Sequence, residues 1–189
     1  MYLFFDTETT GLPKNWKAPV TDVDNWPRLV QLAWIAADAD GQELERYESI
    51  VKPEGFTVPE ASAQIHGITT ARARTEGQPV NEVLGSFIAA VEAAQYVVAH
   101  NLSYDEAVIG AELVRSGLSH SLWHRERICT KMEATDFCAL PGKYGYKWPT
   151  LEELHTKLFG GSVPNAHNAL ADVEATVHCF FELKRLDVI

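Results

Sequence analysis

Acidic residues stand at three places in this chain where their neighbours predict a core. Asp6 and Glu8 interrupt the apolar run Leu3, Phe4, Phe5 at the N-terminus. On a strand, residues i and i+2 point to one face, so these two carboxylates would sit side by side at the end of a buried strand. Asp105 falls in the first turn of a helical pattern that follows the apolar run Tyr96 to Ala99. Asp172 lies one turn into the last amphipathic stretch, and its neighbours Ala169 and Val173 place it toward the apolar face. A single first-turn Asp is ordinarily a capping or dipole-favoured residue. Several acids gathered in a core are different, because like charges oppose each other's ionisation and burial opposes it further. Four convergent carboxylates suit hard divalent cations. Mg²⁺ or Mn²⁺ fits better than zinc, since no thiol and only one histidine joins the group. Two such ions about 3.5–4 Å apart can clamp the attacking and leaving oxygens of an in-line phosphoryl displacement. Their positive charge would cancel that of the acids, so the metal-free protein is expected to be the less stable form.

The elements that must position these groups can be read from hydrophobic period. "LVQLAWIAAD" and "ELERYESIVK" read as strands, and "DADGQ" between them carries the Asp-Gly signature of a hairpin; with the first strand they predict an antiparallel meander. Residues 14 to 28 have neither helical nor strand period and read as a long loop. Val80, Val83, Leu84, Phe87, Ile88 and Val91 recur at helical spacing, and "YVVA" is a short buried strand. The next helix is expected to start near Ser103, with Ser103 and Glu106 in capping-box spacing, and to stop at Gly117. "RICT" reads as another strand. Thr150 and Glu153 form a second capping box ahead of Leu151, Leu154 and Leu158, and the last helix carries Val173, Val177, Phe180 and Phe181 inward. Antiparallel strands followed by strands alternating with helices indicate an α/β fold: a mixed sheet, an N-terminal antiparallel meander plus parallel strands, flanked by helices.

With 189 residues and no Pro/Gly/Ser-rich linker, residues 1–189 are expected to form one domain. No apolar run approaches the roughly 20 residues that span a bilayer, and no targeting segment precedes the first strand, so a cytoplasmic protein without a membrane partner is expected. Cys129, Cys138 and Cys179 lack metal-binding or disulfide spacing and read as buried reduced thiols. The net charge of −10 alone argues against a nucleic-acid partner. Its distribution does not: from Arg115 to Lys157 seven basic residues face five acidic ones, leaving that stretch at +2 and the rest at −12.

"DTETTG" at 6–11, "HNLSYD" at 100–105 and "HNALAD" at 167–172 resemble, in order and spacing, the three motifs of the DEDDh, or DnaQ-like, 3′-to-5′ exonuclease family. "IHGIT" at 65–69 also resembles a segment common in that family. The resemblance implies a ribonuclease-H-like fold, two divalent cations, Mg²⁺ or Mn²⁺, and stepwise release of nucleoside 5′-monophosphates from a 3′ end. By position, Asp6, Glu8, Asp105 and Asp172 are similar to the metal ligands, and His167 to the general base. Five residues on an ideal helix turn through about 500°, so His167 should lie on the loop entering the last helix rather than on the face of Asp172. The same resemblance gives backbone amides near Thr7 and Thr9 to the terminal 3′-hydroxyl and Leu12 to the terminal base. It suggests substrate contacts at His66 and Tyr104, against structural roles of equal standing. His100 and Asn101 are expected to organise the strand-to-helix turn, while His120, His124, His155 and His178 have no motif context.

Single-stranded DNA is the favoured substrate, in repair or proofreading, with an RNA exonuclease of the RNase T or oligoribonuclease kind as the alternative. A non-catalytic nucleic-acid-binding module is the alternative of another class, and a small-molecule metal phosphoesterase is a third. A polymerase partner is not indicated: the chain ends soon after the third motif, which disfavours a polymerase-binding tail but leaves docking through the folded surface open. Trp16 and Trp26, on the long loop, would either stack on an unpaired base or anchor the loop.

Overall fold

The computed structural model describes residues 1–118 and 122–189; His120 lies outside the described residues. Five strands, β1 (Tyr2–Thr9), β2 (Leu29–Ala37), β3 (Glu43–Ile50), β4 (Tyr96–Ala99) and β5 (Glu126–Cys129), form one sheet in the order β3-β2-β1-β4-β5. β1, β2 and β3 pair antiparallel, as the Asp-Gly hairpin predicts, and β4 and β5 add in parallel. At the β2–β3 turn the Asp38 carboxylate accepts from the Asp40 and Gln42 amides, and Gly41 takes a positive φ of 89° that its missing Cβ permits.

Helices cover both faces, and the alternation along β1 decides which residue meets which helix. The long C-terminal helix α8 (Ala169–Arg185) lies against Phe4, Ala33, Ile35 and Val98 through Val173 and Phe180. The opposite face, with Leu3, Phe5, Leu32, Trp34 and Val97, is covered by α3 (Val80–Ala93) and α4 (Leu102–Ser116) after the short α1 (Glu60–His66) and α2 (Thr70–Glu76). Two one-turn helices follow β5, α5 (Thr130–Glu133) and α6 (Thr135–Cys138), then the hairpin β6 (Pro141–Gly142) and β7 (Gly145–Tyr146). α7 (Leu151–Phe159) and α8 (Ala169–Arg185) complete the chain. All nine β2 residues are buried because both faces are covered, as in a central strand of a helix-clad sheet.

Where the local signal was a cap, one expectation holds and one does not. Thr150 and Glu153 make both bonds of the capping box that starts α7. α4 starts one residue earlier than Ser103: Asn101 is its N-cap, in the left-handed region at φ 82°, with no side-chain cap. Glu106 is instead buried and pairs with Arg127. The chain must turn sharply from β4 into α4, and that turn geometry overrides the capping-box spacing. Cys138 and Cys179 are buried free thiols as expected, whereas Cys129 is only half-buried, because β5 is a sheet edge.

The loop from residue 14 to 28 divides its two tryptophans. Trp26 is buried and its indole N–H donates to the Pro19 carbonyl at 3.2 Å, so it anchors the loop; Trp16 stays exposed, 5.7 Å from the Tyr104 ring. Glu112, buried on α4, accepts from Arg28 Nε at 2.7 Å, the Leu29 amide at 3.0 Å and Arg115 Nη1 at 3.0 Å. Arg115 in turn donates to the carbonyls of Val23 and Trp26. A buried carboxylate thus ties the loop to the helix that carries Asp105.

Candidate metal centre

Phe4, Asp6 and Glu8 project from β1 toward α8, since side chains two apart share a face. α8 brings Asp172 to the same place. Single carboxylate oxygens of Asp6, Glu8 and Asp172 lie within 4.8 Å of one another. Asp105 reaches β1 from the other side, because α4 covers the face of Leu3 and Phe5. There Asp105 Oδ1 accepts from the Thr7 amide at 3.1 Å and the Thr7 hydroxyl at 2.7 Å. β4 pairs with β1 only as far as Phe4, so beyond that point the β1 backbone is free to bond a side chain. Asp105 thus lies outside the group of three, held by Thr7, yet near enough to Asp6 and Glu8 for its charge to act on both.

Burial and mutual repulsion disfavour ionisation across the cluster. Burial, then repulsion from Asp105, Asp172 and Glu8, holds the Asp6 carboxyl well above its ordinary value. Burial, with Asp172 and Asp105 adding, pushes Glu8 up to about 8. Asp105 is pushed up to about 7 by burial even though the Thr7 bonds favour its ionised form. Asp172 is raised by burial, against the opposing His167 amide, which donates to its Oδ2 at 3.2 Å. Divalent cations would stabilise the ionised form of every one of these groups, and oxygen-only donors suit Mg²⁺-class ions. The residues fit such ions.

His167 lies where expected, exposed on the turn before α8, with φ 68°. It borders a cleft of about 340 Å³ together with Thr150, Leu151, Val163 and Asp172. The start of α8 is fastened by residues whose roles the sequence did not reveal. Gln31, opposite Glu8 in the sheet register and 2% exposed, accepts from the Ala169 amide at 3.2 Å and donates to Glu48 at 2.6 Å. Asn168 caps the helix through the Ala171 amide and also reaches Glu48. The one available signal for Gln31 was a polar residue inside an otherwise apolar strand.

Among the expected substrate contacts, Leu12 projects into solvent, 72% exposed. The Thr7 amide is engaged by Asp105, and the Thr9 hydroxyl donates to the Gly11 carbonyl at 2.8 Å. Tyr104 Oη also donates to that carbonyl at 2.7 Å and touches Thr9 Oγ1 at 2.7 Å, so Tyr104 supports the turn that presents Leu12. His66 is a buried ring: its Nδ1 accepts from the Ile68 amide at 3.1 Å, burial lowers its pKa, and the Thr9 backbone opposes that shift. His100 Nδ1 meets the Thr130 hydroxyl at 3.0 Å and Nε2 the Pro149 carbonyl at 3.1 Å, while Asn101 Oδ1 accepts from Lys131 at 3.0 Å. These side-chain bonds tie the β4-to-α4 turn to α5 and to the segment before α7, while the Asn101 backbone, at φ 82°, makes the turn itself.

A protein-family model described as Exonuclease matches residues 3–180. The human protein Three-prime repair exonuclease 1 is 26% identical over 202 residues, which cover 92% of this chain and 60% of that protein. The 3′-5′ exonuclease DinG of Bacillus subtilis is 26% identical over 186 residues, covering 96% of this chain and 17% of its own length. E. coli Exonuclease I, solved in complex with a dA16 oligonucleotide, superposes with a TM-score of 0.77 at 24% identity, over 97% of this chain and 40% of that one. The chain thus spans less than two thirds of each of these relatives, from 17% to 60% of their lengths. No helix among the described residues is long and apolar enough to cross a membrane.

Proposed function

This chain belongs to the exonuclease family, and from that premise we propose that residues 1–189 act as one domain that shortens single-stranded nucleic acid from its 3′ end, DNA in preference to RNA, releasing nucleoside 5′-monophosphates. The observation that carries the proposal is the meeting of Asp6, Glu8 and Asp172 within 4.8 Å, with Asp105 on the other side of the same strand. Asp6, Glu8 and Asp172 would hold divalent cations, Mg²⁺ or Mn²⁺, with Asp105 completing the set. Such ions, when bound, stabilise negative charge on phosphoryl oxygens.

The chain's own groups do the rest. His167, on an exposed turn whose amide is tied to Asp172, takes the proton of the attacking water at an imidazole nitrogen. Thr7 holds Asp105 in place, and Gln31 with Asn168 fixes the first turn of α8, so that Asp172 and His167 keep their spacing. Leu12, exposed on the turn braced by Tyr104, packs against the terminal base. The DNA preference draws support from the dA16 oligonucleotide bound to E. coli Exonuclease I.

The test is digestion of matched 5′-labelled DNA and RNA oligomers with Mg²⁺ or Mn²⁺. A ladder shortening from the 3′ end, faster on DNA, is expected. Intact oligomers with both metals would overturn the proposal, and faster RNA digestion would reassign the substrate. His167→Ala should lower kcat about 10²- to 10⁴-fold while leaving metal affinity nearly unchanged.

A further inference from the structure

The hairpin of β6 and β7 packs no core, yet it carries large rings. Tyr144 is 90% exposed, Tyr146 57% and Trp148, just beyond it, 61%. Lysines are interleaved with them: Lys143 Nζ sits 5.0 Å from the Tyr144 ring centroid and Lys131 Nζ 5.1 Å from that of Trp148. Lys147 lies between, paired with Glu153 at 2.5 Å. This is a local reversal in a chain of net charge −10. Exposed rings alternating with cations do not make a continuous apolar patch, which is what a protein-docking face would present. They match a single strand, whose bases offer π-faces to the rings and whose phosphates meet the lysines.

Position makes the match specific. A groove of about 410 Å³ runs between Lys131, Lys147, Trp148 and the Thr150–Leu151 step. Thr150 and Leu151 also line the cleft of Asp172 and His167. The two depressions therefore adjoin, and a strand with its 3′ end at the acids would meet the rings on leaving the site.

We infer that Tyr144, Tyr146 and Trp148, with Lys131, Lys143 and Lys147, form a stacking track for the unpaired nucleotides upstream of the 3′ terminus. The inference rests on the proposed strand-shortening activity. The hairpin holds the rings outward by its own geometry: Pro141 pairs with Tyr146, and a Cβ on Gly142 would come within 2.9 Å of the Gly145 carbonyl. The track makes the enzyme sensitive to strand length, because only nucleotides beyond those in the acidic cleft would reach the rings.

The experiment measures kcat/KM on dT oligomers of 2, 4, 8 and 12 nucleotides with Mn²⁺, for the wild type, Tyr146→Ala/Trp148→Ala, Trp148→Phe and the remote surface control Leu44→Ala. In the wild type kcat/KM should climb with length. The double alanine variant should flatten that climb, losing about 5- to 100-fold per ring on the 12-mer. Trp148→Phe should recover most of it, since stacking needs a ring and not an indole, and Leu44→Ala should follow the wild type. Lys143→Gln should reduce the slope of log KM against log salt by about 0.7. A wild type without length dependence, or a double variant that keeps it, overturns the track while the shortening activity stands. A wild type that shortens no oligomer defeats the activity itself.

Discussion

Replacing Glu8 by Gln should stabilise the metal-free protein and destabilise the metal-loaded one relative to the wild type. Glu8 shares its face of β1 with Asp6 and meets Asp172, and burial, with repulsion from Asp172 and Asp105, lifts its carboxyl from 4.5 to about 8. A displacement of that size makes ionisation about 5 kcal/mol harder in the folded than in the unfolded chain. The folded pKa is the raised one, so this group's stability is present at low pH and is lost as pH rises from 4.5 through about 8. At pH 7 the unfolded carboxyl is ionised and the folded one mostly protonated, which leaves a cost of about 3 kcal/mol. Gln keeps the shape without the ionisation. Allowing about half of that gain to be cancelled by desolvating the amide, a rise of about 3–6 °C in Tm is expected in EDTA at pH 7. With Mn²⁺ the order should reverse: binding at a hundred times Kd stabilises the wild type by about 2.7 kcal/mol, and the variant has lost a charged ligand. Thermal melts of both proteins, with EDTA and with Mn²⁺, from pH 6 to 9, check this. A variant less stable than the wild type in EDTA, or one stabilised equally by Mn²⁺, would refute the reading of Glu8 as a strained metal ligand.

Three further outcomes are expected. Burial lowers the His100 ring to about 4, and its folded pKa is the lower one, so the unfolded chain protonates first and stability falls as pH drops from 6.5 toward 4. That loss is about 3 kcal/mol, and urea unfolding at pH 7 and pH 4.5 should show it in the wild type but not in His100→Gln; equal differences in the two would contradict it. Glu112→Ala leaves Arg28 and Arg115 without their shared buried carboxylate and should cost about 3–5 kcal/mol, with faster proteolysis between residues 14 and 28; a loss below about 1 kcal/mol would mean that the ion pairs do not hold the loop. Gln31→Ala removes the bond that fixes the start of α8 and should lower kcat about tenfold with little change in KM; an unaltered rate would show that Asn168 alone suffices.

How far a residue could be read depended on whether its partner was local. The β2–β3 hairpin rests on residues 38–42, and the α7 cap on Thr150 and Glu153; both were legible because the interacting groups lie within one turn. Ser103 and Glu106 offered the same spacing without the outcome, because β4 is driven directly into α4 and Arg127, 21 residues away, claims the glutamate. The hairpin that carries Tyr144 and the two short helices before it gave no periodic signal, being too brief to have a period. Trp16 and Trp26 look alike in sequence; only the Pro19 carbonyl and the pocket beneath the loop make one an anchor.

The sequence by itself determined that Asp6 and Glu8 share a face, since strand side chains alternate with a period of two wherever the strand is placed. It determined too that His167 cannot share the helical face of Asp172, and that a helix-clad mixed sheet must hold them. Which helix covers which face was decided only by the tertiary structure. α8 lies on the side of Phe4 and so delivers Asp172 to Asp6 and Glu8. α4 lies on the side of Leu3 and Phe5 and so delivers Asp105 to Thr7, 98 residues away. Four acids that read alike in the chain thereby become three gathered within 4.8 Å and a fourth that Thr7 holds by hydrogen bonds while it still repels Asp6 and Glu8, because packing across the sheet and not spacing along it sets the distances between charges.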